Sequence, residues 1–180
     1  MDEPIVVTGI GVVSSIGTGK NNFWNALIAG KSGISEITSF DTSVYPTHLG
    51  GEVKDFTTPA GKIGRASSLA IRAAHLALDD ARLDLNNIDK GRIGVCLGTT
   101  MGESQIYQQL NEAWVKKGIE AMDFSLIPYS PPNALAVNVA LEFGLSGPNY
   151  LIPTACAAGN YCIGYACDLL RKGVAATMLA

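Results

Sequence analysis

Three features of the 180-residue sequence predict an α/β protein built on a largely parallel sheet. Short apolar, β-branched runs alternate with longer stretches of helical spacing, the pattern of strands joined through helices rather than hairpins. Glycine and proline fall at the junctions, and 20 glycines suit a fold with many tight strand-to-helix turns. The composition is 47% hydrophobic and only 16% charged, which calls for a large buried fraction and argues against disorder. At about 100–200 residues per domain, the length suits one domain with a proper core.

The elements follow in order. "PIVVTGIGVVSSIG" (4–17) opens as an apolar β-rich strand, Ile5–Thr8, and breaks into glycines. "KNNFWNALIAGKSG" (20–33) reads as a helix with Asn21 or Asn22 as N-cap, apolar Phe23, Leu27 and Ile28, and Gly30 as its stop. Residues 35–60 alternate turn formers with a few apolar residues and form an irregular excursion. "GRASSLAIRAAHLALDDARL" (64–83) is the strongest helical segment, with Leu69, Ile71, Ala74, Leu76 and Leu78 on a broad apolar side. "RIGVCLGTT" (92–100) holds a buried strand, Ile93–Leu97, ended by Gly98.

"GESQIYQQLNEAWVKKG" (102–118) is amphipathic, with Ile106, Leu110 and Ala113/Trp114 at helical spacing. A proline-rich turn, Pro128–Pro132, precedes the helix "NALAVNVALEFG", closed by Gly144. "PNYLIPTAC" (148–156) is a strand and turn, followed by a small-residue helix ending at Gly173 and by "AATMLA", which begins as a strand. That last segment reaches Ala180 with no cap, turn or polar tail, so the chain reads as part of something longer. No short internal repeat or low-complexity tract occurs.

Several function classes are disfavoured. A net charge of −3 without a basic run or interleaved aromatics gives no support to nucleic-acid binding. The acidic start lacks the basic and apolar regions of a signal peptide, and no apolar run nears the ~18 residues that span a bilayer. The four cysteines, Cys96, Cys156, Cys162 and Cys167, show neither C-x-x-C nor zinc-ligand spacing. The expectation is a soluble, cytoplasmic protein with reduced thiols and no metal site.

The candidate sites are few. Gly9-x-Gly11 follows a strand, but Ser14 stands where a dinucleotide-binding turn needs its third glycine, and no acidic residue ends a second strand. A glycine-rich turn packed on a helix is the better reading. His75 reads as a helix-surface or interface residue, His48 as a loop residue, and Asp79–Asp80 as a solvated helix end. Cys96 lies inside an apolar strand, and Cys162 and Cys167 fall mid-helix, so packing accounts for all three.

Cys156 differs by position. It sits where a strand turns into a helix, where the first backbone N–H groups would surround its sulfur and favour an anion. The same groups could hold a developing oxyanion, and Ala155, Ala157, Ala158 and Gly159 leave room for a substrate. On this evidence a nucleophilic and a structural role are equally open.

The sequence resembles the N-terminal half of a β-ketoacyl-[acyl-carrier-protein] synthase, a condensing enzyme of the thiolase superfamily. "VVTGIGVVSSIG", "FWNALIAGKSGI", "FDTSVYP", "GGEVKDF", "RIGVCLGT", "IPYSPPNALA", "FGLSGPNY" and "TACAAG" follow that family's order and spacing. Its signature runs without a gap through Gly147, Ile152, Ala155, Cys156, Ala157, Ala158, Gly159 and Ile163. The resemblance implies a thiolase-like fold in two similar halves. Each half is a layered α/β unit with a mostly parallel five-stranded sheet, and residues 1–180 form the first.

It further implies that Cys156 is the acyl-accepting nucleophile and that the chemistry has two stages. An acyl group moves from a donor thioester onto Cys156, and decarboxylated malonyl on a carrier protein then attacks it, lengthening the chain by two carbons. Met101, in "GTTMGE", matches a position lining the acyl pocket; it reads equally well as an ordinary loop residue. The implied partners are an acyl carrier protein and a second ketosynthase subunit, in a homodimer or a paired heterodimer, with Asn149–Pro153 as interface strand. No cofactor is implied, because substrates arrive on the phosphopantetheine arm of the carrier. The catalytic histidines, lysine and glycine-rich loop of the family belong to its second half, so these 180 residues alone should not condense. A non-catalytic partner subunit that sets chain length is the alternative; such subunits usually lack the cysteine.

Overall fold

A computed structural model of the chain describes residues 4–59 and 61–180. These fall into two compact units. The larger unit takes in Thr58–Ile71 and Leu83–Ala180, and the smaller takes in Thr8–Thr57 and Arg72–Arg82.

The larger unit is organised on a parallel sheet. Its central strand β5 (Ile93–Leu97) lies between β6 (Asn149–Leu151) and β7 (Thr177–Leu179). Val95 pairs with Asn149 and Leu97 with Leu151 on one side, and Ile93 pairs with Thr177 on the other. β5 is apolar throughout because helices cover a parallel sheet on both faces; Ile93, Val95 and Cys96 are all buried. Burying a side chain the size of Ile93 or Val95 stabilises the fold by about 1.5–3 kcal/mol each.

Three helices complete this layer: α3 (Ser104–Lys117), α4 (Ala134–Phe143) and α5 (Ala158–Arg171). α4 presents Leu135, Ala136 and Val139 to the interior. It ends where Gly144 takes a left-handed turn (φ 65°) and Lys90 Nζ donates to the Phe143 carbonyl at 3.0 Å. α3 rests Ile106 and Leu110 on Leu126, with Met122 and Tyr129 beside them, while Trp114 stays exposed instead of joining the predicted apolar face.

The smaller unit holds two short antiparallel hairpins, β1 (Val13–Ser14) with β2 (Gly17–Thr18) and β3 (Ser35–Glu36) with β4 (Leu49–Gly50). Helix α1 (Lys20–Ile28) starts from Gly19, not from an asparagine cap. Asn22 lies inside the first turn, and its amide donates back to the Thr18 carbonyl at 3.0 Å. Gly30 takes the left-handed conformation (φ 64°) just past the helix end, as its stop role requires.

Helix α2 (Arg65–Ala81) runs through both units. Gly9 and Gly11 approach it so closely that a Cβ at either would collide with the Ala77 or Ala73 carbonyl oxygen. Their bareness serves helix packing, the reading preferred over a dinucleotide site. Asp80, near the C-terminus of α2, accepts from the Ile10 N–H at 3.0 Å and pairs with Lys20.

Two expectations give way. Ile5–Thr8 forms no ladder among the described residues, and Val6 and Val7 are 68% and 81% exposed. β-propensity gives a residue a preference but supplies no partner strand, so the run stays unpaired among the described residues. Among the described residues the parallel sheet counts three strands rather than the expected five.

Candidate functional site

The strand β6 ends at Leu151, two residues short of the expected Pro153. The Ile152 N–H still reaches the Leu97 carbonyl at 3.0 Å, which keeps the chain beside β5 to the edge of the sheet. Pro153 then removes a donor, and the backbone leaves the ladder. In parallel α/β sheets this carboxyl edge is where ligands bind.

Here the chain turns sharply. Ala155 adopts φ 48°, a left-handed conformation that costs a non-glycine residue about 1–2 kcal/mol. Residues 155–157 form a single tight 3₁₀ turn, and α5 proper starts at Ala158. Cys156 therefore precedes the helix instead of opening it, which corrects the expected geometry. The Ala157 N–H is bonded to the Thr154 carbonyl at 3.1 Å and the Ala158 N–H to the Ala155 carbonyl, so neither points freely at the sulfur. What the turn does achieve is presentation. Cys156 is exposed, whereas Cys96 and Cys162 are buried and Cys167 is half-buried. A strained turn that lifts a nucleophile at the end of a strand is a known catalytic device.

The interior cysteines behave differently. Burial and the hydrogen-bonded neighbour Cys162 push the Cys96 thiol up to about 12. That thiol stays protonated and serves as a small apolar residue.

The loop after β5, residues 98–103, comes to the same edge. A Cβ added to Gly98 would lie 2.7–2.9 Å from atoms of Ala158, two residues past Cys156. This loop carries Met101, which is 69% exposed. The structure thus brings the segment of Met101 to the segment of Cys156, a meeting that sequence spacing could not show. His48 lies in the excursion loop, its Nδ1 3.0 Å from Thr42 Oγ1, and His75 is half-buried on α2. A cavity of about 840 Å³ in the smaller unit is lined by Ser15, Asn22, Lys31, Glu52, Lys54 and Arg72 among others, and by neither Cys156 nor Met101.

Sequence reasoning passed over a buried polar cluster at the far end of the loop. Glu103 is only 2% exposed, and its Oε1 accepts from the Ser67 N–H at 2.6 Å. Asn138 Nδ2 donates to Ser67 Oγ at 2.9 Å. The available signal was a glutamate opening an amphipathic helix, an ordinary surface pattern. Only tertiary packing makes it interior.

The exposed cysteine on a strained turn at the carboxyl edge of a helix-covered parallel sheet suits the thiolase-like class, the fold of the solved ketosynthases to which this chain is similar. Within it the chain belongs to the β-ketoacyl synthase family: residues 2–180 match "Beta-ketoacyl synthase, N-terminal domain". It is 37% identical over 186 residues to the chloroplastic 3-oxoacyl-[acyl-carrier-protein] synthase I of Arabidopsis thaliana, covering 98% of this chain and 39% of that enzyme. Among solved structures it is similar to the ishigamide ketosynthase/chain length factor, with a TM-score of 0.86 and 37% identity over 94% of this chain and 44% of that one. It is also similar to a ketosynthase bound to the hexaketide in complex with its type II polyketide acyl-carrier protein, with a TM-score of 0.80 and 28% identity, covering 94% of this chain and 42% of the other. The chain spans 39–45% of the length of the curated relatives it matches. Among the described residues no helix is long and apolar enough to cross a membrane.

Proposed function

We propose that this chain is the nucleophile-bearing half of a β-ketoacyl-[acyl-carrier-protein] synthase in cytoplasmic fatty-acid or polyketide synthesis. The observation that carries this reading is Cys156, exposed on its strained turn inside a segment that fits the family signature. In the first stage the Cys156 sulfur attacks the donor thioester carbonyl, and the carrier thiol leaves with a proton. In the second, the malonyl carrier loses carbon dioxide, its carbanion attacks the acyl-enzyme carbonyl, and the Cys156 sulfur departs as the carbon–carbon bond forms.

No cofactor enters these steps, since the substrates are held on a phosphopantetheine arm. The N–H groups of Ala157 and Ala158 are occupied by the turn, so the two carbonyls are polarised by other donors, with groups of the second half of the fold among them. Met101, a large apolar side chain left 69% exposed on the loop whose start lies against Ala158, is available to touch the growing acyl chain. β6 is an edge strand of its sheet, so its outer side can pair with a second ketosynthase subunit.

The other reading, a non-catalytic chain-length subunit, is raised by the pairing named for the ishigamide relative. Cys156 weighs against it. The test is to incubate the full-length protein with an acyl carrier thioester and measure its intact mass. A one-acyl gain that maps to Cys156 and vanishes in Cys156→Ala is the expected result. A wild-type protein that gains no acyl group on Cys156 overturns the proposal and favours the chain-length subunit.

A further inference from the structure

The loop 98–103 is fastened at both ends. At its start Gly98 lies against Ala158. In its middle the Gly102 N–H donates to Thr99 Oγ1 at 3.1 Å, and Gly102 (φ 53°) presses on Pro132, whose Cα would be 2.5 Å from an added Cβ. At its end stands Glu103, 2% exposed. Its carboxylate receives the backbone N–H of Ser67, in the first turn of α2, and so caps that helix from outside. Asn138 of α4 holds Ser67 Oγ from the other side. Gly64 has no side chain where one would strike Glu103 Oε2.

A buried carboxylate is a costly way to end a loop, since it loses its hydration and must be matched by strong donors. What it secures is geometry: one carboxylate fixes the end of the loop to α2, and through Ser67 to α4. Between the fastened ends lies one large apolar side chain, Met101. The residues that hold the loop are thus separate from the residue it displays.

We propose that Glu103, held by Ser67 and Asn138, is a positioning residue that fixes the 98–103 loop, and Met101 with it, beside the Cys156 turn, and so sets which acyl chain lengths Cys156 accepts. This rests on the reading of Cys156 as acyl acceptor. Glu103 touches no reacting atom; it acts through the loop.

The experiment uses the full-length protein and straight-chain acyl thioesters of increasing length, with acylation of Cys156 followed by intact mass. In the wild type the rates should depend on length. Glu103→Ala, and Gly64→Ala, which displaces the carboxylate while keeping Glu103, should each change the ratio of favoured to disfavoured lengths by about tenfold. Alkylation of Cys156 by iodoacetamide, which needs no acyl pocket, should stay within about twofold of wild type in both. Glu103→Gln should retain most of the wild-type profile, because an amide oxygen can accept the same N–H.

A folded Glu103→Ala protein with an unchanged length profile overturns the proposal. So does a parallel loss of acylation and alkylation, which marks a general structural role. If Glu103→Ala does not fold, Ser67→Ala takes its place: it cuts only the link to Asn138 and should shift the profile in the same direction by less, and no shift overturns the idea. A wild type that takes no acyl group at any length overturns the acyl-acceptor reading and this inference together, whereas an acylated wild type with an indifferent Glu103→Ala variant sinks the inference alone.

Discussion

Cys156 and Cys162 belong to one short segment, yet one lies on the surface of the larger unit and the other in its interior. Cys156 occupies a turn where the sheet has run out, the backbone is strained at Ala155 and the side chain is exposed. Cys162 lies further along, on α5, facing Cys96 of β5, and both are buried. The same side chain is a candidate reagent in the first place and a packing group in the second. The difference comes from the end of a ladder and the coverage of a sheet, not from the thiol itself.

The comparison breaks most directly by alkylation of the native protein. Iodoacetamide should modify Cys156 readily, while Cys96 and Cys162 react on the order of 100-fold more slowly because they need an opening of the fold. Peptide mapping after a timed pulse checks this, and equal labelling of all three would remove the contrast. Next in size is Ile93→Ala, which leaves a cavity in β5 on the face of the sheet opposite Cys96. It should cost about 2–5 kcal/mol in denaturant unfolding and raise Cys96 labelling without altering that of Cys156.

Ala155→Gly probes the exposed side. It relieves the left-handed strain at Ala155 but frees the unfolded chain, so stability should rise by no more than about 1 kcal/mol in thermal unfolding. A clear fall would mean that the turn is not strained.

The smallest effect concerns acid. Glu52 accepts from the Ser39 and Thr38 N–H groups at 2.9 and 2.8 Å and from Thr38 Oγ1 at 3.2 Å. Hydrogen bonding from Ser39, then Thr38, lowers its carboxyl to about 2 from an ordinary 4.5. A carboxyl lowered by folding stabilises the folded state above its ordinary value, and that contribution fades as pH falls from 4.5 toward about 2. Glu52→Gln should flatten the stability profile of the smaller unit over that interval and leave the interior thiols of the larger unit protected. An identical acid profile in the variant would show that Glu52 is not linked to folding.

Much of the scaffold was legible because its causes are local. The run Ile93–Leu97 is apolar at every position, and it forms β5 with those bounds. Gly144 and Gly30 stop their helices because only a residue without Cβ takes the left-handed turn cheaply. Two glycines near the start pack on a helix, as the failed dinucleotide pattern suggested. Ile5–Thr8 departs from its strand pattern for the opposite reason: strand preference is local, but a ladder needs a neighbour.

By itself the sequence determined the alternation of elements, the family, and the one cysteine that sits at a turn. Tertiary structure alone decided three things. It placed Cys156 ahead of α5 in a turn whose own carbonyls occupy the Ala157 and Ala158 N–H groups. It brought Gly98 against Ala158, so that the loop and the Cys156 turn share one edge of the sheet. And it drew Glu103 into the interior, where Ser67 and Asn138 give a surface-looking glutamate its partners. Each depends on residues distant in the chain, and burial and hydrogen bonding between such residues exist only once the helices have packed.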